Sequence, residues 1–177
     1  MSDYTPSTAQ KARIEQQGDH WILVLTRELK HPPEKVWHAL TDPAELCEWA
    51  PFDVDGSLGT AGRTVKLTTA SAPGMPPSET RVKRADAPNL LVYDWGGREM
   101  RWELEPTRAG THLTLWTSID RGYIAMGAAG WHVCFDVMDQ MLTGAPIGRL
   151  VAGDALKSAG WQRLHAEYKA QFDKEAP

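Results

Sequence analysis

The sequence predicts a single α+β domain in which a curved antiparallel sheet of about seven strands wraps around a C-terminal helix, with two short helices after the first long strand. Three observations support this class. The segment Leu25 to Phe52 is typical of a strand followed by two helices, the next residues alternate like hairpin strands, and the last part has helical periodicity. We expect the 177 residues to form one domain, 1–177, with an ordered core of about residues 12–172.

Two prolines and an aspartate define the ends of the short helices. Pro33 lacks an N–H group and Glu34 places a carboxylate at the positive end of the helix dipole, which favours a helix start there. The helix must stop before Pro43, because a residue that precedes proline is pushed out of the α region. Asp42 then caps a second helix, with Pro43 in its first turn and Trp49 near its end. We therefore expect two short helices that meet at an angle.

Alternation of apolar and polar residues predicts the strands. Gly96-Gly97 is a two-residue hairpin signal, and after it Met100 and Trp102 share one face while Arg101 and Glu103 share the other. The inner face of the sheet therefore carries large apolar side chains. The predicted strands cover Ala12 to Gln16, His20 to Lys30, Arg63 to Thr69, Glu79 to Ala85, Leu90 to Trp95, Arg98 to Glu105 and Thr111 to Ile119.

The C-terminal part has the period of a helix. Trp131 and Phe135 fall on an apolar stripe that we expect to face the sheet. His132 and Asp136 fall on the polar side, where an i, i+4 pair is more often solvated than an acid–base dyad. A further helix is expected from about Asp154 to Phe172.

Composition excludes several classes of function. The net charge is −4 and no basic cluster occurs, so we expect no nucleic-acid partner. No segment approaches the ~20 apolar residues of a membrane span, and the polar N-terminus lacks a leader pattern, which predicts a cytoplasmic protein. Cys47 and Cys134 lie far apart without a metal-ligand pattern, and Cys134 is interpreted as an inert packed thiol. We expect no metal, no cofactor and no catalytic motif.

The helix laid across the curved sheet is expected to enclose a small-molecule cavity. The breaker-rich loop Ala70 to Pro77 is predicted to be a mobile connection at its rim. Any single tryptophan is more often core than ligand contact, and His165 is more often a hydrogen-bonded edge residue, but the collective pattern favours a site. The candidate ligand-binding residues are Arg27, Trp49, Tyr93, Trp95, Met100, Trp102, Trp131, Phe135, Met138 and His165.

A set of residues spread along the chain also carries a family resemblance. These residues are Arg27, Pro33 to Trp37, Ala39 to Pro43, Leu46, Trp49, Trp102 to Leu104, Gly110-Thr111, Leu113 to Leu115 and Gly130-Trp131. With them the chain resembles the SRPBCC/START-like superfamily, whose architecture is the birch-pollen-allergen-like helix-grip fold. Within it, the sequence is similar to the C-terminal domain of the heat-shock chaperone ATPase activator. The resemblance extends from about Ile14 to Phe172 and implies a helix-grip domain of a family that includes hydrophobic-ligand binders.

The sequence therefore favours binding of a small hydrophobic or aromatic molecule, and two alternatives remain open. A cyclase or hydrolase would need polar groups that converge in the cavity, such as Arg27 with Glu28 or an inward-turned Glu103. The inward-facing residues do not supply such a set, which argues against an enzyme. A chaperone-interacting module would use the outer sheet face, where an exposed Trp116 could equally mark a homodimer contact.

Overall fold

A computed structural model describes residues 4–151 and 159–175. Each helix and strand is labelled in chain order. The strands are Ala12–Gln17 (β1), His20–Leu29 (β2), Phe52–Val54 (β3), Thr64–Thr69 (β4), Ser78–Arg81 (β5), Arg84–Asp86 (β6), Leu90–Trp95 (β7), Arg98–Pro106 (β8) and Thr111–Ile119 (β9). The α-helices are Pro33–Thr41 (α1), Pro43–Trp49 (α2), Ile124–Leu142 (α3) and Ala159–Glu175 (α4), and a 3₁₀ turn, Arg121–Tyr123, precedes α3.

The strands form two antiparallel sheets. The larger has six strands in the order β1-β2-β9-β8-β7-β6, and the smaller has three in the order β3-β4-β5. Pairing of β8 with β9 sets Trp102 opposite Leu115 on the buried face and Arg101 opposite Trp116 on the outer face. The predicted α+β class, the antiparallel sheet and the alternation along β8 are therefore confirmed.

One predicted strand divides between the two sheets. The sequence predicts a continuous strand from Glu79 to Ala85, but the chain changes partner in its middle. The amide of Val82 donates to the carbonyl of Arg63 at 2.9 Å, whereas the amide of Lys83 donates to the carbonyl of Val92 at 2.8 Å. The first half accordingly becomes β5 and the second half β6. This change of partner, together with the unpredicted β3, gives two sheets of six and three strands in place of one sheet of about seven.

The two short helices end where the prolines and the cap predict. The carboxylate of Asp42 accepts from the amides of Ala44 and Glu45 at 2.9 and 3.1 Å, which satisfies two free donors at the start of α2. The indole N–H of Trp49 donates to the carbonyl of Ala39 at 3.0 Å, so the end of α2 is fastened to α1. Both helices pack against α3 and help to enclose the core.

Helix α3 is covered on a second face by α4 and by residues 4–10, which we call the N-terminal arm. Arg163 of α4 donates to the carbonyl of Pro6 at 2.5 Å, and the amide of Ala9 donates to Glu167 of α4 at 2.9 Å. The arm was not predicted, and the predicted helix start at Asp154 lies outside the described residues. Within the two described ranges, no helix combines the length and the apolarity that crossing a membrane requires.

Candidate functional site

Seven aromatic side chains pack together between the large sheet, α2 and α3. The ring of Trp102 lies among them, with its centroid 5.6 Å from that of Trp131 and 6.0 Å from that of Phe135, in edge-on geometry. We call this set the aromatic cluster; it consists of Trp49, Phe52, Tyr93, Trp95, Trp102, Trp131 and Phe135. Six of the predicted ligand-binding residues thus come together, and Met100 and Met138 are buried in the same core.

The aromatic cluster occupies the space between the sheet and α3. Trp49, Trp102 and Phe135 are each 1% exposed. The indole N–H of Trp102 donates to the hydroxyl of Tyr93 at 3.2 Å, and burial raises the pKa of Tyr93, so that its hydroxyl stays protonated. A small molecule must therefore bind beside the cluster or displace part of it.

An apolar cavity of about 270 Å³ opens directly beside the cluster. Three tryptophans wall it, of which Trp95 and Trp131 also belong to the aromatic cluster and Trp161 comes from α4. We call this cavity the tryptophan pocket; its lining residues are Pro51, Ser71, Trp95, Met126, Gly127, Gly130, Trp131, Val133, Cys134, Leu150, Val151 and Trp161. Ser71 belongs to the loop that the sequence predicts at the cavity rim. The pocket therefore has the apolar, largely aromatic lining that is usual for small-molecule sites.

Small residues on one side of α3 make room for this pocket. Gly127, Gly130 and Cys134 recur at helical spacing on the pocket side. A Cβ atom at Gly127 would lie 2.4 Å from Cδ1 of Ile119, so glycine allows α3 to approach β9 closely. A Cβ atom at Gly130 would meet no heavy atom within 4 Å, so the space beside it is open. Glycine at 127 thus avoids a clash with the end of the Ile119 side chain, while at 130 it leaves the pocket unfilled.

Arg149 anchors the segment that forms the far wall of the pocket. Its guanidinium donates to the carboxylate of Asp53 at 2.5 Å and to the carbonyls of Leu46 and Phe52 at 3.5 and 3.4 Å. Leu46 lies in the last turn of α2, where free carbonyls and the helix dipole favour a cation. These bonds fix residues 150 and 151 against the pocket.

Arg27 and His165, the two polar candidates among the predicted ligand-binding residues, lie apart from the pocket and from each other. His165 stacks on Trp161 with a centroid distance of 5.0 Å, and it lines a different cavity of about 380 Å³ that also includes Trp21 and Arg121. Arg27 instead pairs with Asp136, their closest atoms 2.5 Å apart. The structure does not bring Arg27 and His165 together in one site.

Six side chains form a polar network where α3 meets the arm, β2 and α4, and only His132 and Tyr168 among them are fully buried. Asp136 accepts from Arg27 and from the hydroxyl of Tyr4, each at 2.5 Å. Burial alone would raise the pKa of Asp136, but the hydrogen bond with His132 and the charge of Arg27, with the bonds from Tyr4 and Arg27, hold it well below its usual range. We call this set the polar network; its members are Tyr4, Ser7, Arg27, His132, Asp136 and Tyr168.

The prediction that His132 and Asp136 form a solvated pair is wrong. His132 is 1% exposed, and the side chain of Asp136 is 12% exposed. The helical period identifies the face of α3 that meets the sheet, but it carries no information about a second covering layer. Here the N-terminal arm and Tyr168 of α4 supply that layer.

The hydrogen bonds of the polar network indicate a structural role. The hydroxyl of Tyr168 accepts from the amide of Gln10 at 3.2 Å, which leaves its own hydrogen to donate to Nδ1 of His132 at 2.8 Å. Nε2 of His132 then carries the ring hydrogen and faces the acceptors Ser7 Oγ at 2.9 Å and Asp136 Oδ2 at 3.5 Å. A protonated Nε2 cannot take the proton of Ser7, so this arrangement does not activate a serine nucleophile.

The structure does not form the polar pairs that the enzyme alternative would need. Arg27 does not pair with Glu28, which instead meets His112 on the surface, and Glu103 stays on its predicted outer face beside Arg101. Trp116 lies on the outer face as predicted, but it is half-buried because the guanidinium of Arg101 lies over its ring at 5.4 Å from the centroid. Among the described residues, no group of three His, Cys, Asp or Glu side chains could hold a metal ion.

Sequence reasoning missed most of the pocket's other walls. Trp95 and Trp131 were predicted, but Leu150, Val151 and Trp161 were not, because they belong to segments whose approach to α3 depends on tertiary packing. The available signal was the recurrence of Gly127, Gly130 and Cys134, which marks a helix side with little side-chain volume. Burial raises the pKa of Cys134 to about 12, which agrees with its interpretation as an inert thiol.

The wrapped sheet, the helix α3 that it encloses and the aromatic cluster between them define a helix-grip fold. The chain belongs to the family described as Activator of Hsp90 ATPase homolog 1-like protein, whose model matches residues 30–143. No curated protein matches the chain significantly. The matched segment contains α1 to α3 and strands β3 to β9, whereas the arm and α4 lie outside it.

Solved structures are similar to this chain in fold at low sequence identity. A conserved protein of unknown function from Enterococcus faecalis, EF2215, has a TM-score of 0.70 at 15% identity and covers 96% of this chain and 95% of its own. CalU16 from Micromonospora echinospora has a TM-score of 0.65 at 17% identity, covering 93% of this chain and 94% of its own. An AHSA1-like protein from Aeromonas hydrophila has a TM-score of 0.57 at 18% identity and covers 70% of this chain and 93% of its own.

Proposed function

We propose that the protein binds a small hydrophobic or aromatic molecule in the tryptophan pocket. The observation that carries this proposal is an open apolar cavity of about 270 Å³ with walls of Trp95, Trp131 and Trp161. A solvent-filled space between three indole rings is costly to hydrate, and a flat apolar ligand would remove that surface from water. The pocket volume suits a ligand of one or two fused rings.

The proposed site lies beside the region in which the sequence places the ligand. Trp95 and Trp131 would contact the ligand, whereas Trp49, Trp102 and Phe135 would support those rings from behind through the aromatic cluster. Burial of about 200 Å² of apolar ligand surface is worth about 5 kcal/mol before the cost of association is subtracted. Because 5 kcal/mol corresponds to a dissociation constant of about 0.2 mM, we expect constants of roughly that size or weaker for simple aromatic probes.

The first test is native mass spectrometry of gently purified protein, in which a retained ligand adds to the mass of the chain. The second is titration with 2-naphthalenemethanol, followed by tryptophan fluorescence and by amide and indole NMR shifts. We expect the shifts to concentrate at Gly127, Gly130 and the indole N–H groups of the three pocket tryptophans. Shifts confined to the cavity around His165 would contradict the proposed site.

Gly130→Leu provides the decisive variant. Because a Cβ atom at position 130 would meet no heavy atom within 4 Å, we expect leucine to extend into the pocket without disturbing the fold, and leucine also favours the helix. We expect at least tenfold weaker binding of 2-naphthalenemethanol. Gly122→Leu is the matched control, since Gly122 is equally unobstructed but lines the other cavity. Unchanged affinity in Gly130→Leu would refute the proposal.

A further inference from the structure

The charge of the ligand can be inferred from what lines the tryptophan pocket, and this inference rests on the function proposed above. None of the described residues that line the pocket has an ionisable side chain except Cys134. The polar groups of the described lining residues are the indole N–H groups, the hydroxyl of Ser71, the Cys134 thiol and backbone groups. A carboxylate there could accept hydrogen bonds but would lose its hydration without gaining a counter-charge from these residues, which is costly.

Cys134 does not supply a charge either. Burial raises the pKa of its thiol to about 12, and the positive charge of Arg149 offsets only part of that effect. The thiol is therefore neutral at physiological pH and can act as a weak hydrogen-bond donor. Arg149 adjoins the pocket, because the next two residues in the chain, Leu150 and Val151, line it.

Arg149 would be the natural partner of an anionic ligand, but Nη2 of its guanidinium already pairs with Asp53 at 2.5 Å and donates to the carbonyls of Leu46 and Phe52. The side chain is 16% exposed, and its Nε is buried without a hydrogen-bond partner among the described residues. Asp53 lies on the short strand β3 and does not line the pocket, whereas Leu150 and Val151, the two residues that follow Arg149 in the chain, do. The carboxylate of Asp53 therefore neutralises a cation that adjoins the pocket.

We infer that the tryptophan pocket selects uncharged aromatic molecules over aromatic carboxylates, and that Asp53 determines this selectivity by neutralising Arg149. In the wild-type protein, an anion in the pocket meets the combined field of an ion pair, which falls off rapidly with distance. Without the charge of Asp53, the field of Arg149 would attract an anion through a medium of low dielectric constant.

The test compares two ligands of nearly equal shape, 2-naphthalenemethanol and 2-naphthoate, at pH 7. For the wild-type protein we expect the alcohol to bind at least thirtyfold more tightly than the carboxylate. For Asp53→Asn, whose amide oxygen can still accept from Arg149, we expect naphthoate to bind at least fivefold more tightly than it binds wild type, with less than a twofold change for the alcohol. Asp55→Asn is the control, because it removes the same charge from a carboxylate that accepts from the amide of Lys66.

A double variant assigns the effect to Arg149. In Asp53→Asn combined with Arg149→Gln, the gain in naphthoate affinity should disappear. If naphthoate binds the wild-type protein as tightly as the alcohol does, and Gly130→Leu weakens both, the inferred selectivity is wrong. The proposed function would still stand in that case. An unchanged naphthoate affinity in Asp53→Asn would overturn the role of Asp53. If Gly130→Leu weakens the binding of neither ligand, the proposed function is refuted and this inference with it.

Discussion

Helix α3 has two buried faces that are stabilised by different means. The face toward the sheet carries Trp131 and Phe135, which pack on Trp102 through ring contacts. The other carries His132 and Asp136, which are buried only because the polar network supplies hydrogen-bond partners for them. Apolar packing loses stability in proportion to the volume removed, whereas a buried charge whose partner is lost keeps its full desolvation cost. The two faces should therefore respond differently to substitution.

The largest effect is expected on the sheet-facing side. Trp102→Ala should lower the free energy of unfolding by about 4 kcal/mol, because it removes a fully buried ring and leaves a cavity among its neighbours. Urea denaturation followed by circular dichroism measures the loss. Trp116→Ala on the adjacent strand is the control, and since Trp116 is half-buried we expect less than half of that cost. Equal costs would mean that the aromatic cluster is no better packed than the outer face.

On the second face, Asp136→Asn should cost about 3 kcal/mol at pH 7, because Arg27 would remain buried without a counter-charge. The same denaturation experiment applies. Asp139→Asn, one turn further along α3, should cost less than 1 kcal/mol, since the side chain of Asp139 is 45% exposed and pairs with His31 near solvent. A similar cost for both variants would contradict the distinction between the two faces.

The stability difference between wild type and Asp136→Asn should depend on pH. The pKa of Asp136 is depressed in the folded protein, so its contribution is complete above the unfolded value of about 3.9 and is lost as the pH falls toward the folded value. The difference should therefore be constant from pH 7 to 5 and shrink from about pH 4 downward. A difference that grows on acidification would show that Asp136 is not stabilised as a carboxylate.

The smallest expected effect concerns the N-terminal arm. Tyr4→Phe removes one of several hydrogen bonds to Asp136 and should cost about 1 kcal/mol, together with faster amide exchange at residues 7 to 10. Thr5→Val, at an exposed neighbouring position, should change neither quantity measurably. Unaltered exchange in Tyr4→Phe would show that other contacts alone hold the arm.

Local patterns in the sequence predicted the sheet-facing side and could not predict the other. Strand alternation placed Trp102 inside, and the helical period placed Trp131 and Phe135 opposite it, because both signals depend on residues close together in the chain. The burial of His132 depends on Ser7 and Tyr168, which are 125 and 36 residues away. No periodicity records such partners, so a buried histidine and a solvated one look alike in the sequence.

The same reasoning applies to the candidate site. Trp95 and Trp131 were predictable because each lies on a regular element with a clear inner face. The placement of Arg149 beside Asp53 was not, since it depends on how an irregular connection crosses the end of α2. Strand β3 was also missed, because three residues are too few to show alternation.

The segment shared with the family ends at residue 143, yet Leu150, Val151 and Trp161 stand on one side of the tryptophan pocket. Under the proposed function, a relative that keeps the matched segment would acquire a different ligand preference through changes in its C-terminal extension, the residues beyond 143, alone. The matched segment and the extension can evolve at different rates. They can also be recombined experimentally by exchanging the extension between homologues. In such chimaeras, ligand choice should follow the donor of the extension, while the sheet and α3 keep their shape.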